Sequence, residues 1–349
     1  MQNKVLLLFP QYSSGGAEKA FEAYVKNLQT FTVIPFLLKS NYSSARSLRF
    51  LLTCIFYLRY TIGVVYCYLI EKPELVISFK SHLVNVLILK VLNSIWPCKI
   101  IFRESNDVLG YSEYELGPFS KVLFRIFLKK IPATIADQVI VNSKGSAESF
   151  HRLTKIDSRK IRTIYNPFIF EKPSYTHPSK DVDLCFVGRL EAQKNPMLFL
   201  NLSHLLLLIH PSFTIRIVGS GRLFENLESE IVRRKLGSCI ILQSYSPEKV
   251  ADCFASSKFS LLTSFYEGMP NVILESFQHE CIPFSFDIQS GPAEIMTERF
   301  LVEPYNICSF LKKFNRQYLN YNKVFEDFDF QSSQKLFSNE AFKKSLITL

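Results

Sequence analysis

The 349-residue chain is poor in glycine, with 12, and has a single tryptophan. Glycine and proline together number 28, too few for a fibrous or low-complexity protein. Its eight cysteines, at 54, 67, 98, 185, 239, 253, 281 and 308, never fall closer than 13 residues apart. That spacing excludes CxxC metal and redox motifs, and the thiols read as buried, reduced groups of a cytosolic chain. A long uninterrupted apolar span is also missing. The nearest approach, residues 48–70, has Arg59 in its middle. A central arginine costs about 2.5–3.5 kcal/mol on insertion, so this stretch reads as a partly buried helix. The apolar run at 5–9 is too short for a signal-peptide core and reads as a strand. Acidic residues are scarce in one half only. Residues 1–175 hold 23 Lys+Arg against 12 Asp+Glu, a net of +11, whereas 176–349 hold 18 against 19, a net of −1. The first half is therefore expected to face something anionic, whether nucleic acid, acidic lipid or a phosphorylated substrate.

What is present, 48% apolar and 21% charged residues, is a globular composition long enough for two cores. Short apolar runs at 5–9, 32–38, 75–79, 99–102, 138–142 and 162–165 alternate with helical spacing, as at 18–28 and 121–129. After Asn166-Pro167, residues 168–182 carry Pro173 and Pro178 and read as a linker. The alternation then restarts, with strands at 183–187, 214–218, 240–242, 259–263 and 282–286. Helices are expected at 196–208, 224–236, 247–255 and 271–279. This is the βαβ pattern of a parallel sheet covered on both faces. The prediction is an α/β chain of two doubly wound, Rossmann-like domains, 1–167 and 168–349, the second with a helical tail. Such sheets bind ligands at the carboxyl ends of their strands.

The most informative segment is Ser264-Phe-Tyr-Glu-Gly-Met-Pro-Asn-Val-Ile-Leu-Glu275. A strand ends in a turn with Glu267 and Gly268, and a helix is predicted from Asn271. Free amides at a helix start, with a dipole equivalent to roughly half a charge, attract anions. Glu267 and Glu275 flank that start and are better suited to accept hydrogen bonds from hydroxyls beside a phosphate than to meet the phosphate itself. Phe186-Val-Gly-Arg-Leu-Glu-Ala-Gln-Lys-Asn-Pro196 places Arg189 and Lys194 in another strand-to-helix loop. Two cations there can neutralise a diphosphate leaving group, each charge pair at 4 Å being worth roughly 4 kcal/mol at an effective dielectric near 20. Gly15 and Gly16 follow the first strand and permit close backbone approach. The Gly219-Ser-Gly221 loop lacks the third glycine of a dinucleotide fingerprint, having Phe224 in its place, which argues against a nicotinamide cofactor.

On these residues the chain resembles the retaining family 4 glycosyltransferases, whose signature is Glu-x7-Glu. The resemblance spans nearly the whole chain and is most specific over 183–295. It implies the GT-B fold, two Rossmann-like domains facing across a cleft. It also implies Glu267, Arg189 and Lys194 as catalytic residues, Glu267 on the transferred sugar and the two cations on the diphosphate. Donor contacts are implied for Glu275 (on the nucleotide ribose), Gly268, Met269, Pro270, Asn271, Val272, Gly15, Gly16 and Gly219. The Ser290-Gly-Pro-Ala-Glu294 loop resembles that of enzymes building bacterial surface polysaccharides. Where many family members have a histidine after the fourth strand, this chain reads Arg103-Glu-Ser-Asn106. Arg103, Glu104 and His82 are thus the acceptor-side candidates.

The expected activity is retaining transfer of a hexose or N-acetylhexosamine from a nucleotide-diphosphate sugar, most simply a UDP-sugar, to a lipid-linked saccharide. The expected cofactors are none beyond that donor substrate, and no metal. The two DxD triplets, Asp181–Asp183 and Asp327–Asp329, stand before a strand and in the tail rather than at a strand's carboxyl end. Lys121, Arg125 and Lys129, four apart, read as one basic helical stripe for an anionic membrane, with Arg46, Arg49 and Lys72 as additions. No nucleic-acid module is recognisable. The expected location is cytoplasmic, peripheral at the inner face of the bacterial inner membrane. A UDP-sugar hydrolase or epimerase on the same scaffold, or a non-catalytic binding module, are the alternatives.

Overall fold

The protein is described by a computed structural model, which places residues 4–12, 16–28, 31–39, 46–79, 83–170 and 180–349. The chain divides into two compact units, residues 1–167 with 337–349, and residues 168–336.

Unit 1 contains β1 (Lys4–Tyr12), α1 (Gly16–Asn27), β2 (Thr32–Lys39), α2 (Arg46–Glu71), β3 (Leu75–Phe79), α3 (Leu83–Ile95) and β4 (Lys99–Arg103). There follow α4 (Val108–Glu115), α5 (Pro118–Leu123), a π-helical turn at Phe124–Lys130, α6 (Ile131–Ile135), β5 (Gln138–Val141), α7 (Lys144–Thr154) and β6 (Ile161–Thr163). The six strands are parallel in the order β2-β1-β3-β4-β5-β6. Val5 to Phe9 and Leu75 to Phe79 are buried without alternation, as expected of central parallel strands packed on both faces.

Unit 2 contains β7 (Val182–Val187), α8 (Pro196–Ile209), β8 (Ile215–Val218), α9 (Phe224–Arg233), β9 (Ile240–Gln243), α10 (Pro247–Ser256), β10 (Ser257–Leu262) and α11 (Asn271–Gln278). It continues with β11 (Ile282–Phe286), α12 (Pro292–Ile295), β12 (Leu301–Val302), α13 (Ile307–Tyr318) and α14 (Tyr321–Glu326). Its parallel order, β12-β11-β10-β7-β8-β9, is that of a dinucleotide-binding sheet, and the direction of winding reverses between β7 and β10.

Three expectations are corrected. The last residues do not stay with unit 2: α15 (Asn339–Ile347) buries Phe342 and Leu346 in the core around Tyr24, Phe9 and Phe79 of unit 1. Arg162 donates to the Ser345 carbonyl at 3.1 Å and the Thr348 carbonyl at 2.8 Å. The cysteines are not uniformly buried. Cys185, Cys253 and Cys281 are, but Cys67, Cys98 and Cys239 are half-buried and Cys308 is exposed. The Phe124–Lys130 segment is π-helical, closed by a bond from Ile131 N–H to the Ile126 carbonyl, which is one residue wider than an α-helical bond and shifts its faces out of the fourfold register. Phe124 and Lys129 therefore turn inward together, Lys129 lying 5.1 Å from the Phe124 ring centroid, while Arg125 and Lys130 are exposed. Asp183 is a structural link at the amino end of β7, pairing with Lys258 at 2.7 Å and accepting from Thr214 N–H at 2.9 Å. Among the described residues no helix is long and apolar enough to cross a membrane.

Candidate functional site

The reversal of winding in unit 2 leaves a gap at the carboxyl ends of β7 and β10, and both charged loops start there. From β7 the chain passes through Gly188, Arg189 and Lys194 to α8, which is capped by Asn195. That residue takes a left-handed conformation (φ 50°) and accepts from Leu198 N–H. From β10 it passes through Ser264 and Glu267 to α11, preceded by Pro270 with no side chain capping its amides. The loops are stitched together. Thr263 Oγ1 donates to the carbonyls of Lys194 (2.9 Å) and Asn195 (3.0 Å), and Phe265 N–H donates to the Gln193 carbonyl (2.8 Å).

At the centre of this junction Glu267, 6% exposed, holds Lys194 Nζ at 2.5 Å and accepts from Ser264 Oγ at 2.6 Å through the same oxygen, Oε1. A buried carboxylate needs such compensation. Gln193 bridges outward, its Oε1 accepting from Arg189 Nη2 at 2.7 Å and its Nε2 donating to the Tyr266 carbonyl at 2.9 Å. Arg189 itself is exposed. Two cations thus stand on one loop, one locked to Glu267 and one at the surface. Glu275, half-buried, lies one turn into α11.

Neighbouring loops support the arrangement from both sides. A Cβ on Gly219 would stand 2.1 Å from the Gly188 carbonyl oxygen, so only glycine lets the loop after β8 lie against the one carrying Arg189. Leu190 N–H donates to the Ser220 carbonyl at 2.9 Å across that contact. On the other side Gly291, at φ 97°, packs where a Cβ would meet Pro270 Cδ at 2.4 Å. Ser290 Oγ donates to the Glu267 carbonyl, and Tyr305 OH to those of Ser264 and Phe265 at 3.3 Å. Gly268, Met269 and Pro270 are buried in the turn, and Asn271 and Val272 open α11 half-buried.

Ser264, Gln193, Ser290 and Tyr305 were not singled out from the sequence. Ser264 and Gln193 lie inside the two quoted motifs, so a polar residue spaced between motif charges was the available signal. No local pattern marks Tyr305.

In unit 1 the acceptor-side candidates Arg103 and Glu104 have different surroundings. Arg103, 2% exposed, lies 5.3 and 5.1 Å from the ring centroids of Tyr24 and Phe79 and donates to Ser105 Oγ (2.6 Å) and Asn166 Oδ1. It is a buried structural cation holding the Pro167 end of the unit to β4. Glu104 pairs with Lys129 and accepts from Ser105 N–H at 3.2 Å. His82 and Gly15 lie outside the described residues, and Gly16 is the first residue of α1.

A recess of about 650 Å³ opens at the other edge of the unit 2 sheet, lined by Lys180, Lys258, Tyr318, Tyr321 and Lys323. It stands at the amino ends of β7 and β10, away from Glu267, and the chemistry of strand carboxyl ends favours the Glu267 junction. Among the described residues no cluster of His, Cys, Asp and Glu could hold a metal ion.

Residues 168–327 match the family model of the glycosyl transferases group 1. Along the sequence the chain is 25% identical over 190 residues to a Campylobacter jejuni enzyme named GalNAc-alpha-(1->4)-GalNAc-alpha-(1->3)-diNAcBac-PP-undecaprenol alpha-1,4-N-acetyl-D-galactosaminyltransferase, covering 54% of this chain and 51% of the relative. It is 32% identical over 120 residues to the amylovoran biosynthesis glycosyltransferase AmsD of Erwinia amylovora, covering 34% and 33%. The chain thus spans about half or less of the length of these curated relatives. In structure it resembles Alr3699/HepE of Anabaena in complex with UDP-glucose, with a TM-score of 0.74 and 17% identity over 99% of this chain and 100% of the other. The two parallel six-stranded units are those of the GT-B fold, and the match to the glycosyl transferases group 1 lies in unit 2.

Proposed function

We propose that this group 1 glycosyltransferase chain moves a hexose or N-acetylhexosamine from a nucleotide-diphosphate sugar to a hydroxyl of a lipid-linked saccharide, with retention at the anomeric carbon. The observation that carries the reading is the buried Glu267–Lys194 pair at the sheet's reversal point, beside Arg189 and the uncapped start of α11. A lysine ammonium has three donors. Lys194 can therefore keep Glu267 and still reach a phosphate oxygen, with the α11 amides adding their partial positive charge. In the proposed step the bond from the anomeric carbon to the diphosphate oxygen breaks. The acceptor oxygen bonds to that carbon on the same face, and its proton passes to the departing phosphate. Lys194 and Arg189 neutralise charge that grows on the leaving group, the kind of stabilisation worth roughly 3–4 kcal/mol per well-placed donor. Glu267 accepts from hydroxyls of the transferred sugar and Glu275 from the ribose. The two cations and the helix start take the part that a metal plays elsewhere, so no metal is assigned to the step.

UDP-glucose in the Anabaena neighbour supports a uridine-diphosphate donor. The undecaprenol diphosphate in the Campylobacter relative's name, and amylovoran in that of the Erwinia relative, support a lipid-linked acceptor in surface polysaccharide synthesis at the inner face of a bacterial membrane. The test is nucleoside-diphosphate release from a panel of UDP- and GDP-sugars, with and without a lipid-linked saccharide extract. Acceptor-stimulated release with one donor, lost in Glu267→Ala, supports transfer. Release that ignores the acceptor would make the chain a sugar-nucleotide hydrolase instead.

A further inference from the structure

We propose that the segment 117–130 of unit 1 inserts its apolar side chains into an anionic lipid bilayer, bringing the carboxyl edge of the unit 1 sheet to the membrane surface. The inference deepens the reading above and rests on it for the lipid-linked acceptor.

The segment turns much of its apolar surface outward. Phe119 is 77% exposed, Val122 54% and Phe127 41%, and Ile126 and Leu128 are 37% and 39% exposed. A helix that packed on its sheet would turn such residues inward. Only Phe124 does so here, meeting the core of α4, α6 and α7. Large uncovered apolar surface of this kind marks an interaction site.

Charge complementarity chooses the occupant. Residues 116–136 contain four cations, Lys121, Arg125, Lys129 and Lys130, and no Asp or Glu. Lys129 is turned inward, leaving the others to rim the apolar face. Aromatic and aliphatic groups flanked by Lys and Arg with no acid suit the headgroup boundary of an acidic membrane. The surface also continues. The π-helical turn packs on α6 and α6 on α3, whose outward Val91 and Ile95 are 62% and 66% exposed, and α3 contains no acidic residue either.

The ion pair from Lys129 to Glu104 gives the segment its use. Both side chains are 12% exposed, and Glu104 directly follows β4. The inward face of the membrane segment is therefore fastened to the strand end from which acceptor-side chemistry is expected, while its outward face enters lipid. The basic stripe read from fourfold spacing is thus replaced by a segment in which insertion of apolar groups is primary and cations at Lys121, Arg125 and Lys130 assist.

The experiment is co-sedimentation of the full chain with phosphatidylcholine vesicles, with and without phosphatidylglycerol, for wild type, Phe119→Ser/Phe127→Ser and Arg125→Gln/Lys130→Gln. All four positions are solvent-exposed, and circular dichroism confirms that each variant folds. Binding to acidic vesicles that weakens about fivefold for each cation removed, and is abolished by the double serine variant, is the expected result. Wild type that ignores acidic vesicles overturns the proposal, as does binding that both variants retain. So does a wild-type dimer in sedimentation velocity that the serine variant converts to monomer, since the face would then serve a second copy. Vesicle binding without sugar-nucleotide turnover would leave this surface standing and remove the transferase reading. Turnover without vesicle binding would do the reverse.

Discussion

Replacing Lys194 by methionine keeps the length of the side chain and removes its charge, leaving Glu267 in its 6%-exposed position without a counter-ion. At 2.5 Å the pair's gross attraction is about 7 kcal/mol at an effective dielectric of 20. Most of that offsets the desolvation of both ions, so the useful figure is the cost of breaking a buried pair from one side, about 3–5 kcal/mol. Ser264 Oγ continues to donate to the carboxylate at 2.6 Å, which puts the expected loss near the lower end, about 3 kcal/mol. Urea unfolding followed by far-UV circular dichroism should show the unit 2 transition fall by roughly 1 M or more. The protein carries its own control. The single tryptophan, Trp96, lies in unit 1, so the transition seen by tryptophan fluorescence should keep its midpoint. Adding Glu267→Gln to the Lys194→Met variant should recover most of the lost stability, because the orphaned charge is gone. A single variant with an unchanged midpoint, or a double variant as unstable as the sum of its parts, would refute the coupling.

Gly219→Ala would drive a methyl group against the Gly188 carbonyl, only 2.1 Å from the ideal Cβ. The loop carrying Arg189 must shift, so donor KM should rise, with a stability loss of about 1–3 kcal/mol; unchanged donor binding by calorimetry would contradict this. Phe342→Ala should destabilise unit 1 by about 3–5 kcal/mol, as loss of a buried phenyl ring does, and Trp96 fluorescence should report it. A shift confined to unit 2 would show that the tail is misplaced. His279 stacks on Phe254, 6.3 Å between centroids at 10°, and burial together with the Lys180 ammonium holds its imidazole below the usual histidine range. The unfolded chain then binds the extra proton first, so this contribution to stability is present above the unfolded pKa of about 6.5 and is lost as pH falls below it. His279→Gln should therefore flatten the unit 2 unfolding profile on the acid side of neutrality, and an identical slope in both proteins would count against it.

Much of the fold was legible because central parallel strands are unbroken apolar runs. The run at 282–286 is strand β11 at both ends, and the strand-to-helix turn before Asn271 follows from a chain that must leave β10 and start a helix within a few residues. The pair at Glu267 was half legible. Spacing identified Glu267 and Lys194 as charges at strand ends, but that they meet depends on the β7–β10 adjacency, a contact 73 residues apart. Arg103 illustrates the opposite outcome. At a strand end it reads as an available cation, yet rings from α1 and β3, distant in sequence, enclose it. The segment at 117–130 misled for a local reason. An apolar helical pattern says which residues share a face but not whether that face meets a sheet or solvent, and the π-helical turn altered even which residues share it. The returning tail is a long-range choice between two cores of similar apolar character, and nothing near Phe342 encodes it.

The central claim is that the junction of β7, β10 and α11 holds a nucleotide-sugar diphosphate. A crystal structure of the protein with UDP tests it most directly. The account predicts phosphate oxygens within hydrogen-bond distance of Lys194, Arg189 and the first amides of α11, with the ribose against Glu275. UDP found in the recess at Lys180, Lys258 and Lys323, at the opposite edge of the same sheet, would contradict it.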